Sequence, residues 1–231
     1  MVADDLSYID RNYESIVSRV RQASEKYRNG EEISIIGVTK TVSPQAVNRS
    51  IDLGIKVLGE NRVQEYLSKK DEYRKGVDVH FIGHLQSNKV KYIINDVSLI
   101  HSVDSEGLAR QINSQAGKNS KIQDILLEIN IGEEDSKSGI AAKDAAELCR
   151  AVLEMENLRL RGLMTIPPVG QSEKFLPRMQ ELFAELKIKL GSADFDTLSM
   201  GMSGDFEEAI RYGATCVRIG TALYGARDYT K

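Results

Sequence analysis

Ile33-Ser34-Ile35-Ile36-Gly37-Val38-Thr39-Lys40, with Ser43-Pro44 just beyond, is the stretch that decides how this chain folds. The run is short, apolar and rich in β-branched residues, which marks a buried strand. Serine is a favoured N-cap and proline suits the first helical position, so a helix is predicted to begin after Ser43-Pro44. The unit recurs along the chain. Further strands are predicted at 55–58, 79–82, 97–101, 125–131, 160–164, 197–200 and 216–219. Helical patterns lie at 63–74, 87–94, 106–116, 142–153, 173–190 and 206–212, and an opening helical stretch spans 6–27.

Eight strands, each but the last followed by a helix, imply a parallel sheet with right-handed crossovers. Eight such units in about 200 residues fit a compact (β/α)8 TIM barrel. A doubly wound open sheet is the competing layout. Little chain remains after the eighth strand, so the opening helix is expected to cover the last gap in the barrel wall. Residues 1–231 read as one domain, with 1–30 forming an N-terminal helix packed on the barrel.

Composition narrows the function. Hydrophobic residues make up 41% and charged residues 28% of the chain, the balance of an ordinary globular protein. A net charge of -3 with both signs interspersed offers no basic footprint for nucleic acid. No apolar run approaches the ~18 residues of a membrane span. The stretch from Met1 to Asp10 carries Asp4 and Asp5 and lacks the apolar core of a signal peptide. Cys149 and Cys216 are too few for a disulfide framework or a structural zinc site. A cytoplasmic monomer is expected.

Barrel sites lie at the C-terminal ends of the strands. Those ends carry Lys40, the run Gly59-Glu60-Asn61-Arg62, Gly83-His84, His101-Ser102, Asn130, Thr165, the run Gly201-Met202-Ser203-Gly204, and Arg218-Ile219-Gly220-Thr221. The loops after strands seven and eight often form a phosphate site in such barrels, and glycine lets backbone N–H groups come close to an anion. The same glycines also serve simple strand-to-helix turns. Lys40 faces two readings as well. In a mouth shared with Arg218, burial and neighbouring positive charge would lower its pKa and make it a nucleophile towards an aldehyde; on the open rim it is a solvated lysine.

Seven motifs in order carry a family resemblance: Gly37-Val-Thr-Lys-Thr41, Gly59-Glu-Asn-Arg-Val-Gln-Glu65, His80-Phe-Ile-Gly-His-Leu-Gln-Ser-Asn-Lys89, Ile129-Asn-Ile-Gly132 through Lys137-Ser-Gly139, Gly162-Leu-Met-Thr-Ile166, Leu198-Ser-Met-Gly-Met-Ser203 and Val217-Arg-Ile-Gly-Thr-Ala-Leu-Tyr-Gly225. Over essentially its whole length the chain resembles the YggS/PROSC family of pyridoxal 5'-phosphate (PLP) homeostasis proteins. The resemblance implies a fold-type III barrel like the N-terminal domain of alanine racemase, without that enzyme's C-terminal β-domain. It implies PLP as the cofactor, held as a Schiff base on Lys40. Ser203, Gly220 and Thr221, with Met202 in the same motif, fall where the family holds the phosphate. Asn61 lies in a motif near the cofactor, and Arg218 matches the arginine that faces the pyridine nitrogen.

An arginine there disfavours protonation of the ring nitrogen and makes the ring a poorer electron sink. Racemisation also needs two acid/base groups on opposite faces of the substrate carbon. Lys40 serves one; alanine racemase draws the other, a tyrosine, from the β-domain of its partner subunit. Here only His84, Tyr224 or another loop residue would stand in. The expectation is therefore a non-catalytic carrier that passes PLP to the apo-forms of PLP-dependent enzymes. The rival is a PLP-dependent racemase, and a PLP-free Schiff-base aldolase ranks last. Lys137 is a second lysine near the rim and a candidate for PLP transfer. His80 and His84, four residues apart on an extended strand, stand ~13 Å apart and make a poor zinc pair.

Overall fold

A computed structural model describes residues 5–134 and 137–226. Strands β1 (Ser34–Val38), β2 (Val57–Glu60), β3 (Asp78–Phe81), β4 (Leu99–Val103), β5 (Gln123–Ile129), β6 (Leu158–Thr165), β7 (Thr197–Met202) and β8 (Cys216–Ile219) form a closed barrel in sequential order. Every pairing is parallel, and Ile36 of β1 pairs with both Val57 of β2 and Arg218 of β8 to close the ring. The open sheet is thereby excluded. Outside lie α1 (Ser7–Tyr27), α2 (Pro44–Leu53), α3 (Val63–Lys69), α4 (Val90–Ile93), α5 (Glu106–Lys118), α6 (Ala145–Leu153), α7 (Ser172–Leu190), α8 (Phe206–Arg211) and α9 (Thr221–Tyr224). None of the described helices is long and apolar enough to cross a membrane.

The helix starts follow their local chemistry. Ser43 accepts the Ala46 N–H and Pro44 opens α2, as predicted. Ser105 caps α5 in the same way through the Leu108 N–H. Strands two and four begin two residues later than expected. Ile55 donates its N–H to Ser50 O and Val97 donates to Ile93 O, so each still completes the turn of the preceding helix. Both side chains are nonetheless buried in the main core. β5 starts early, at Gln123, a buried polar residue whose amide donates to Ser98 O and so sits outside any apolar pattern. The stretches predicted as helix at 63–74, 87–94 and 142–153 each include a 3-10 turn, at Lys70–Glu72, Ser87–Lys89 and Ala142–Asp144.

The eighth strand is followed by a helix after all. At four residues, α9 is too short to show periodicity in a sequence. The opening helix still covers the gap, burying Ile9, Ile16, Val20 and Ala23 along one stripe against α2, α8 and α9. Its polar flank is tied down by Asn12 Nδ2 to Leu223 O at 3.0 Å, by Arg19 to Glu207 at 2.5 Å and by the Asp10–Arg49 ion pair. The main core fills the layer between strands and helices, with Phe81, Phe195, Phe206 and Leu58 fully buried. A separate small cluster, Leu99, Leu126 and Met164, comes from alternate positions of β4, β5 and β6 and fills the barrel interior.

Candidate functional site

The parallel barrel delivers all eight strand ends to one face. There a cavity of about 310 Å³ is lined by Asn61, Met202, Ser203, Arg218, Gly220 and Thr221, six of the residues singled out from sequence. A second cleft, of about 440 Å³, lies between the turn after β1, the start of α1 and α9, and is lined by Lys40, Tyr8 and Tyr224. Val38, Gly220 and Thr221 line both. Lys40 and Arg218 thus line adjoining cavities, with Val38, Gly220 and Thr221 as the wall they share.

Gly201 shapes the end of β7. Its φ of +92° is open to glycine, and a Cβ there would stand 2.5 Å from the Ala209 Cβ. The chain then turns so that Ser203 Oγ accepts the Gly220 N–H at 3.2 Å and the Ala222 N–H at 3.1 Å. This hydroxyl joins the loop after β7 to the start of α9 and still has its own O–H to give. Gly204 is bordered by open space on the side where a Cβ would project. Asn61 Oδ1 is buried with no hydrogen-bond partner among the described residues.

Arg218 is 4% exposed and held from two sides. Its Nη1 donates to Ser199 Oγ at 2.5 Å and its Nη2 to Thr165 O at 2.8 Å. Burial lowers its pKa, opposed by Cys216, Glu128 and Asp205, but a guanidinium remains charged. Ser199 Oγ, which accepts from Arg218, also lies 3.0 Å from His101 Nδ1, and His101 Nε2 lies 3.0 Å from His80 Nδ1, a hydrogen-bonded relay across the barrel. Burial depresses both imidazoles, His80 to about 4 and His101 well below its ordinary value, so both are neutral.

His101 therefore belongs to the barrel interior and not to the rim. The apolar pattern ended its strand at 101, whereas β4 runs on to Val103. Sequence reasoning also missed Glu128, which shares the inward face of β5 with Leu126. Burial, aided by Asp104 and opposed by Arg218, raises its carboxyl from 4.5 to about 7. A lone acid within the apolar run Ile125–Ile131 was the available signal.

The remaining candidates are placed elsewhere. Lys137 Nζ pairs with Glu134 at 2.5 Å and donates to Pro167 O at 3.3 Å, on the rim but outside the lining of either cavity. Asn130 closes the loop after β5 by accepting the Glu134 N–H and donating to Glu134 O. His84 is exposed, 3.7 Å from Asp104. The Tyr224 hydroxyl sits 2.8 Å from Ser50 Oγ, and burial pushes its pKa up. Among the described residues no group of three or more His, Cys, Asp or Glu could hold a metal ion.

The family described as the N-terminal domain of alanine racemase matches residues 5–228. A "Pyridoxal phosphate homeostasis protein" of Aquifex aeolicus is 44% identical over 93% of this chain and 96% of its own. One of the same name from Escherichia coli is 42% identical over 88% and 90%. This chain belongs to the family of pyridoxal phosphate homeostasis proteins. Solved structures of similar chains extend the match. An "unknown protein" from Bifidobacterium adolescentis is 31% identical, with a TM-score of 0.88 over 97% of this chain and 98% of that one. PipY of Synechococcus elongatus, determined with PLP bound, is 28% identical, with a TM-score of 0.78 over 89% of this chain and 100% of its own. An alanine racemase of Clostridium difficile shares the barrel at 16% identity and a TM-score of 0.75, a likeness of fold alone.

Proposed function

We propose that this homeostasis-family chain is a cytoplasmic, monomeric PLP carrier that holds the cofactor on Lys40 and hands it to the apo-forms of PLP-dependent enzymes. The observation that carries this reading is the shared wall at Gly220-Thr221, with a primary amine on one side and a buried guanidinium on the other. The residues fit the group. Asn61 Oδ1 is an unpartnered acceptor, the open space at Gly204 admits a ligand, and Ser203 and Thr221 bring hydroxyls to the same wall. PLP, when bound, supplies an aldehyde that condenses with a primary amine to a Schiff base, with loss of water.

In this reading Ser203, Gly220 and Thr221, beside Met202, hold the phosphate, and Arg218 faces the ring nitrogen. Ser199 and Thr165 leave Arg218 little freedom to turn away. A charged guanidinium in that place keeps the ring nitrogen unprotonated and favours holding over turnover. The two candidate second bases support the same conclusion. The Tyr224 hydroxyl is engaged by Ser50, and His84 stands with Asp104 outside the lining of both cavities. Lys137, on the rim beside Pro167, is the second amine to which the cofactor passes on release.

Borohydride reduction of the PLP-saturated protein, followed by peptide mapping, tests the anchor. Label is expected on Lys40 and lost in Lys40→Ala; label elsewhere in the wild type refutes it. Incubation with amino acids in heavy water tests the carrier role, since solvent deuterium entering Cα at a catalytic rate would establish turnover.

A further inference from the structure

Helix α3 turns two side chains onto the backbone of the turn that carries Lys40. Thr41, the next residue, has φ +62°. This is the left-handed region, which a β-branched side chain avoids. Among the described residues Asn29, Ser120 and Glu133 also have positive φ, but Thr41 alone of these four is β-branched. The Thr41 N–H donates to Glu65 Oε1 at 2.6 Å. Lys69 Nζ donates to the Val42 carbonyl at 2.8 Å and to the same Glu65 oxygen at 2.5 Å. One ion pair therefore takes both the Thr41 amide and the Val42 carbonyl, within two residues of Lys40.

An ordinary i,i+4 pair on a helix surface contributes little. This one differs, because each side chain is 17% exposed and each head points at another element. Burial works to raise the Glu65 carboxyl, but the bonds from Lys69 and the Thr41 N–H outweigh it and hold the group below its ordinary value. Glu65 thus supplies the acceptor for the amide of the strained turn. The other side of the turn is tied to the barrel, with the Val42 N–H on Thr39 O at 3.0 Å and Thr39 Oγ1 on Gly59 O at 3.2 Å.

We propose that Glu65 and Lys69 are positioning residues for Lys40, holding the Thr41 turn left-handed so that the Lys40 amine stands at the Gly220-Thr221 wall. The inference rests on the reading of Lys40 as the PLP anchor. It separates two ligands. PLP engages Lys40, whereas pyridoxine 5'-phosphate, with an alcohol in place of the aldehyde, uses only the phosphate and ring contacts.

The test titrates both ligands into wild type, Glu65→Ala, Glu65→Gln and the double variant Glu65→Ala/Thr41→Gly, following the absorbance of the lysine adduct and the heat of binding. Loss of one charge-assisted hydrogen bond is expected to weaken PLP about tenfold in Glu65→Ala while pyridoxine 5'-phosphate stays within about twofold. Glu65→Gln keeps a carbonyl acceptor and recovers most of the loss. Glycine adopts the turn without strain, so the double variant recovers it too. Equal weakening of both ligands, an unchanged PLP affinity in Glu65→Ala, or a double variant no better than the single overturns the proposal. Should Glu65→Ala not fold, Lys69→Met reads the same contrast. Borohydride label on Lys40 of the wild type keeps the anchor apart from the brace: label elsewhere refutes the anchor, and label there with an unaffected Glu65→Ala refutes the brace alone.

Discussion

Replacing Glu128 by glutamine should change the slope of stability against pH. Glu128 is 9% exposed, so solvent screening needs no large discount, and burial raises its carboxyl from 4.5 to about 7 with Asp104 adding and Arg218 opposing. Below the unfolded pKa both states are protonated and the group is neutral to stability. Between the two values the unfolded chain releases the proton while the fold retains it, so stability falls as pH rises; above about 7 the loss is complete. At about 1.36 kcal/mol per pH unit, the displacement amounts to about 3 kcal/mol. Glutamine keeps the shape and carries no titration. Urea denaturation of both proteins from about pH 5 to about pH 8.5 should show the variant gaining on the wild type by about 2.5 kcal/mol, the rest of the displacement falling below that window. His80 and His101 titrate in both proteins and largely cancel in the difference. Parallel curves, or a gap that widens towards acid, would refute the assignment of Glu128 as a buried acid with a raised pKa.

Gly162 sits on β6 at φ +148°, where a Cβ would come within 1.9 Å of the Thr197 carbonyl oxygen on β7. Gly162→Ala should destabilise the fold by about 3 kcal/mol or more, because backbone rather than a flexible side chain must yield; a loss below about 1 kcal/mol in urea denaturation would count against the strand register. Ser203→Ala removes the acceptor shared by the Gly220 and Ala222 N–H groups. Calorimetry should then show pyridoxine 5'-phosphate binding weakened about tenfold, and undiminished affinity would remove Ser203 from the phosphate site.

Much of the barrel is readable because its signals are local. Alternating runs, Ser43-Pro44 at the start of α2 and the glycines after β7 and β8 each depend on a few neighbouring residues. Two of the errors in strand limits share a cause. Ile55 and Val97 are buried core residues whose backbone still completes the turn of a helix, and an apolar residue does not announce which element it belongs to. Asn61, Met202, Ser203, Arg218, Gly220 and Thr221 all fall near strand C-terminal ends, the resemblance to the family marks them among the other residues there, and the parallel barrel brings them to the lining of one cavity.

What order along the chain cannot convey is which groups meet across the barrel or around its rim. Arg218 on β8 reaches Thr165 on β6, and His101 on β4 reaches Ser199 on β7; neither pair comes from adjacent strands. The stagger of the closed sheet sets those meetings. Lys40 shows the same division. Its place at the end of the first strand was legible in Val38-Thr39-Lys40. Its place in the cleft that adjoins the Arg218 cavity, and the Glu65–Lys69 pair on the turn that follows it, depend on how α3 and α9 pack against that turn. Packing of that kind joins residues far apart in sequence, so only the tertiary structure decides it.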